Sequence, residues 1–359
     1  MYILLAILLL AILIVAHEFG HFMAARAMKI DVREFSVGFG PKLAGWKSKK
    51  YETTFAVRAI PMGGYCSFYG EDDATGQSKD DPRNFGNHSV WKRMFVILMG
   101  PVMNFILAFI AAVILIWCIG IEYINPFIHE VMDSGPAYEA GIQDGDEVLE
   151  INGVNMMDGT MDTLLNTISS WKEGDGPLQM TIRRDGETVQ AEVTPVWNEE
   201  ARKMQIGVYI SGHVETAPAG FFGGFGEAWK MCTNAGGAIL RALKNLVTKG
   251  EGLEDTAGPV GIVSLISTQV EGQVQQGGAG AGVSAFTQLL ILISINLGLM
   301  NLLPIPGLDG SRLVFGIIEA LRGKPVPPQR EAIVHLVGMG LLLTLMIFFT
   351  FRDVMRLFG

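Results

Sequence analysis

MYILLAILLLAILIVAHEFGHFMAA, residues 1–25, carries a single formal charge, at Glu18. Its length and composition predict a helix that crosses a membrane. Within it, His17-Glu18-Phe19-Gly20-His21 places two imidazoles at positions i and i+4, which share one helix face and can address one metal ion. Glu18 stands beside them as a general base toward a water the ion activates. Hydrocarbon excludes water, so this pairing points to a hydrolase acting inside the membrane. Two bland readings compete with it. HExxH arises by chance in about one per cent of chains of this size and composition. A cleaved signal peptide would have a basic start and an apolar run of roughly 7–15 residues, and neither is found here. Ionisable residues inside a span are costly and by default functional, which favours the metal site.

The remainder of the 359 residues fits a polytopic membrane protein. The chain is 49% hydrophobic and 18% charged. Further apolar segments at 94–121, 286–303 and 333–350 raise the expected number of spanning helices to about four. Basic residues set the orientation. Arg26, Lys29, Arg33, Lys42, Lys47, Lys49, Lys50, Arg58, Lys79, Arg83, Lys92 and Arg93 follow the first span; Arg312, Arg322, Lys324 and Arg330 follow the third. Both loops are therefore expected on the cytoplasmic side, with both termini outside. Between Glu122 and Glu215, 18 acidic residues outnumber 5 basic ones, a block expected to face the exterior and a poor partner for nucleic acid. Cys66, Cys118 and Cys232 have no C-x-x-C spacing and imply neither a disulfide framework nor a thiolate metal site.

Four domains of sequence are expected: residues 1–121, 122–200, 201–282 and 283–359. Residues 35–69 alternate and are punctuated by Gly38, Gly40, Gly63 and Gly64, which predicts a β-hairpin, either at membrane depth lining a cavity or on the cytoplasmic surface. Residues 72–87 read as a surface loop. Short β-like runs, one helix near 161–171 and turns at Asn152-Gly153 and Asp185-Gly186 predict a small α+β module at 122–200, whose glycine and Asp-Gly-Asp turns resemble a PDZ domain. Residues 219–250 predict an amphipathic helix, interfacial or packed on that module. Residues 272–282 are glycine-rich and expected to be flexible.

A catalytic zinc site needs a third protein ligand. Asp309 is the candidate, in Asn301-Leu302-Leu303-Pro304-Ile305-Pro306-Gly307-Leu308-Asp309-Gly310, where two prolines end the third span near the depth of the histidines. The competing reading makes Asp309 a helix cap or a solvated loop carboxylate. His335 is a weaker ligand candidate. Asn104, Asn296 and Asn301 are amides at membrane depth, suited either to interhelical hydrogen bonds or to holding a substrate backbone or oxyanion.

With these residues assembled, the chain resembles the site-2 protease family of intramembrane zinc metalloproteases, in its bacterial single-PDZ branch. The resemblance rests on HEFGH, Gly38-Phe39-Gly40-Pro41, Pro61-Met62-Gly63-Gly64-Tyr65, Gly100-Pro101-Val102-Met103-Asn104, Gly258-Pro259-Val260-Gly261-Ile262 and NLLPIPGLDG. It implies one zinc ion held by His17, His21 and Asp309, water activation by Glu18, and substrate contacts from Asn301 and, less definitely, Asn104. It also implies a hairpin edge strand that receives unwound substrate. Implied partners are single-spanning membrane proteins already trimmed outside, such as anti-sigma factors and remnant signal peptides, in a bacterial cytoplasmic membrane. Ser311 departs from the family, where a second glycine is common. A membrane-anchored PDZ scaffold and a zinc transporter are the rival readings.

Overall fold

The computed structural model describes residues 2–71, 80–156, 161–199, 201–250 and 258–358; the first half of the surface loop expected at 72–87 lies outside them. Two compact units emerge, one of residues 1–116 and 222–359 and one of residues 117–221.

In the first unit, α1 (Tyr2–Met28) and α2 (Val90–Ile119) are each long and apolar enough to cross a membrane. Between them lie β1 (Val32–Lys47) and β2 (Thr54–Phe68). These long strands double back along their length. Phe35 stands opposite both Phe55 and Cys66, and Trp46 is also opposite Phe55. The segment Gly64–Phe68 thereby becomes a flank of the sheet beside α1. Phe22 of α1 meets Phe35 and Phe55 edge-on, with ring centroids 5.6 and 5.7 Å apart. This aromatic wedge seats the hairpin against the turn of α1 that carries Glu18.

The second unit carries α3 (Pro136–Glu139), α4 (Met161–Ser169) and β3 to β10: Ile121–Val131, Glu147–Ile151, Val154–Asn155, Leu178–Arg184, Glu187–Val193, Val196–Asn198, Lys203–Gln205 and Val208–Ala217. Its sheet order is β10-β3-β4-β6-β7, with β5 on β4; β8 pairs only with β9. Ile128, Val148, Ile151, Leu164, Leu178, Met180, Ile182 and Ile206 fill the core. This is the inserted α+β module, and its extent differs from the expected 122–200. Strand β10 pairs with β3 from Val208↔Val131 to Ala217↔Ile121, so the domain closes only at Ala217. A strand that joins its sheet through a long-range partner has no local marker of membership.

The first unit resumes with α5 (Phe221–Lys249), α6 (Pro259–Leu302), α7 (Asp309–Arg322) and α8 (Pro328–Phe358). Among the described residues, α1, α2, α6 and α8 are the four helices suited to spanning. In α5, the rings of Phe225 and Trp229 lie 6.3 and 6.4 Å from Phe109 of α2, while Phe222, Leu240 and Val247 stay exposed. The stretch 272–282 is helical rather than loose, and the chain turns within it. Gly278 has φ 73° and ψ −167°, and a methyl placed on Gly282 would lie 2.2 Å from Val274 and 3.8 Å from the Val270 carbonyl. Twelve residues of straight helix would separate Val270 and Gly282 by about 18 Å, so α6 is two arms folded back at Gly278. Ile266 and Val270 of the first arm join Leu9 and Leu13 of α1 and Leu290 of the second arm in one core. Asp353 of α8, 4% exposed, accepts a 2.7 Å hydrogen bond from the Gly261 N–H and closes the start of the first arm.

Candidate metal centre

Helical spacing puts His17 and His21 on one face of α1, and both are 8% exposed. Pro304 and Pro306 cannot continue α6, so the backbone turns through Leu303–Leu308 and restarts as α7 at Asp309. Short bonds hold this turn: Ile305 N–H to the Leu303 carbonyl (2.7 Å), Leu308 N–H to the Ile305 carbonyl (3.1 Å) and Ser311 Oγ–H to the Leu308 carbonyl (2.7 Å). Ser311 thus uses its hydroxyl inside the turn, where a glycine would leave the Leu308 carbonyl without that partner.

The turn delivers Asp309 Oδ2 to 3.0 Å from Nε2 of His17 and 3.5 Å from Nε2 of His21, and the two Nε2 atoms are 3.2 Å apart. A tetrahedral zinc with nitrogen and oxygen ligands at about 2.0–2.1 Å has ligand-to-ligand edges of about 3.3–3.4 Å. The three observed separations bracket that value. Leu308, not Asp309, is the N-cap of α7, and Asp309 is its first residue. The chemistry of the donors fits as well. A carbonyl only accepts, so Val96 O, 2.9 Å from His21 Nδ1, requires a proton on Nδ1 and reserves Nε2 for a metal ion. That Nε2 faces a carboxylate oxygen and a second imidazole. A cation reconciles such a cluster of electron pairs.

Glu18 lies on the neighbouring side of the helix, beside the flank of the hairpin, with its Cγ 3.5 Å from where a Cβ on Gly64 would stand. His17, Glu18, His21 and Asp309 border a cavity of about 510 Å³ whose other walls include Tyr65, Cys66, Arg33 and Arg312. Burial pushes the Cys66 thiol up, and the carboxylates of Glu18 and Glu71 add to this, so it is a neutral group rather than a thiolate ligand. Arg312 is paired with Glu71, which holds the guanidinium firmly charged.

Four further candidate residues lie outside the cluster. Asn104 is completely buried, behind His17 and outside the cavity lining, with its Nδ2 3.1 Å from His17 Nδ1. Asn301, in the last turn of α6, is half-buried and does not border the cavity; Asn296 is exposed. His335 turns away from the cluster, toward the Gly307 N–H (3.4 Å) and Glu331 (3.7 Å). Sequence reasoning passed over Val96, Gly100 and Ser294. The Gly-Pro-x-x-Asn stretch of α2 was the available signal, but a backbone carbonyl and an absent side chain leave no chemical trace in a sequence.

The model of peptidase family M50 matches residues 5–345. The "Regulator of sigma-W protease RasP" of Bacillus subtilis is 31% identical, over 98% of this chain and 98% of its own. "Zinc metalloprotease RasP" of Bacillus licheniformis is 30% identical over 98% of both chains, and that of Geobacillus kaustophilus 31% over 96% of both. Among solved structures, the PDZ domain of the SdrC-like protein from Listeria monocytogenes matches 24% of this chain and 86% of its own, at 21% identity and a TM-score of 0.22.

Proposed function

Since the chain belongs to peptidase family M50 and is a bacterial integral membrane zinc metalloprotease, we propose that it cleaves peptide bonds within the transmembrane segments of single-spanning proteins. One observation carries this reading: two buried histidines of α1 and the half-buried Asp309 at the start of α7, far apart in sequence, bring their ligating atoms together beside Glu18.

His17, His21 and Asp309 are the proposed ligands. Zinc held there supplies a Lewis acid that polarises the scissile carbonyl and makes water a competent nucleophile near neutral pH. Glu18 takes the proton that water gives up and hands it to the leaving amine. Its place beside the Gly64 flank of the hairpin sets the carboxylate on the border of the cavity. A helical substrate must unwind before a carbonyl can reach the ligands. The flank of the hairpin beside the cavity supports recovery of its backbone hydrogen bonds by strand addition. Asn301 is kept as a substrate contact, one that an incoming chain would have to reach from outside the present cavity lining.

The distribution of basic residues supports a cytoplasmic-side active centre and an exterior PDZ domain in the bacterial cell membrane, with lipid around the spans. The name of the Bacillus subtilis relative, a regulator of sigma-W, supports anti-sigma factors trimmed outside as one substrate class. Remnant signal peptides are a second. The test is co-expression with a model substrate of one transmembrane helix and a shortened exterior. Wild type should yield product and Glu18→Gln none, with zinc still bound. Cleavage by both chains would overturn the mechanism, and normal insertion without cleavage by either would return the scaffold reading.

A further inference from the structure

We propose that Asn104 is a positioning residue: its side-chain oxygen accepts the Nδ1–H of His17 and so holds that imidazole with Nε2 free for the metal. The inference rests on the reading of His17 as a ligand. Asn104 Nδ2 lies 3.1 Å from His17 Nδ1, and Asn104 Oδ1 is buried with no hydrogen-bond partner among the described residues. With the amide in that orientation, Nδ1 must accept, which leaves the ring proton on Nε2, aimed at Asp309 and His21. That tautomer cannot ligate through Nε2. The two ends of a carboxamide have the same shape. Turned by 180°, the amide occupies the same space and its oxygen meets the Nδ1–H of His17.

The neighbouring ligand supplies the precedent within this chain. His21 is held in the Nδ1-protonated form by the Val96 carbonyl. Val96 and Asn104 are eight residues apart on α2, about two turns, and so lie on one face. They bracket Gly100, where an added side chain would collide with both rings. One face of α2 therefore orients both imidazoles, once with a backbone carbonyl and once with a side chain. The turn bearing Asn104 is itself anchored: Ser294 Oγ–H of α6 donates to the Asn104 carbonyl at 2.8 Å, and both residues are fully buried. Such outer hydrogen bonds fix ring orientation and raise ligand basicity, and removing one costs about 10–100-fold in metal affinity.

The experiment uses the full chain in detergent, with zinc affinity measured by chelator competition and histidine protonation read by ¹⁵N spectroscopy. Zinc-loaded wild type should show His17 protonated at Nδ1. Asn104→Ala should weaken zinc binding about 10–100-fold, and Asn104→Asp, which keeps an acceptor oxygen, should restore most of it. A wild-type His17 protonated at Nε2 overturns the inference, as does unchanged zinc affinity in Asn104→Ala. Equal losses in the Ala and Asp variants also overturn it, since shape alone would then be at stake. Should Asn104→Ala fail to fold, the wild-type spectrum and Asn104→Asp still decide. His17→Ala separates the two readings: zinc retained there means that His17 is no ligand, while zinc lost there and kept in Asn104→Ala condemns only the role of Asn104.

Discussion

A methyl group built on Gly100 would sit 2.3 Å from Nε2 of His21 and 2.9 Å from Nε2 of His17. The wall behind the metal centre is bare backbone, and the two ligating atoms occupy the volume a side chain would fill. Alanine there must push the imidazoles or separate α1 from α2. Gly100→Ala should therefore reduce zinc content and proteolysis together, by at least about tenfold in metal affinity, as metal analysis of the purified chain would show. Full zinc occupancy in the variant would mean that the histidines approach the metal from another side.

Removing the carboxylate tests the ligand set differently. Asp309→Ala leaves two ligands where a catalytic zinc needs three, so zinc should be lost at chelator concentrations that leave the wild type loaded. Chelator-stripped wild type should lose cleavage and regain it on zinc addition, whereas the variant should not regain it.

Asp353 offers a stability test far from the chemistry. Its carboxylate receives the Gly261 N–H at the start of α6, a place where one donor is otherwise unpaired in an apolar setting. Asp353→Ala should destabilise the fold by about 1–2 kcal/mol. Thermal unfolding in detergent should report this as a lower Tm, with zinc stoichiometry unchanged.

The boundary of the inserted domain can be tested with fragments. A fragment of residues 117–221 contains β10 and should unfold cooperatively. One of residues 122–200 lacks the strand that covers β3 and should not, as circular dichroism during heating would reveal.

Particular residues show where sequence was informative. His17 and His21 were legible because helical spacing alone places them together, and Asp309 because two prolines mark a break in an apolar run. The folded-back first arm of α6 was not. Its glycines lower helix propensity, but packing of Ile266 and Val270 against α1 overrides that preference. β10 escaped because its partner, β3, lies far back in the chain. Asn104 was recognised as a polar group at membrane depth, yet its complete burial against His17 has no trace in the sequence.

His17 and Asp309 come from opposite ends of the chain, and the loop between them contains the whole inserted domain. Zinc on the proposed ligands would in this respect be a reversible cross-link between the two halves of the membrane core. A nascent chain whose later helices had not yet docked would hold two histidines and no third ligand. In a bilayer crowded with other helices, the capacity to cut would thereby be withheld until the chain had finished building itself.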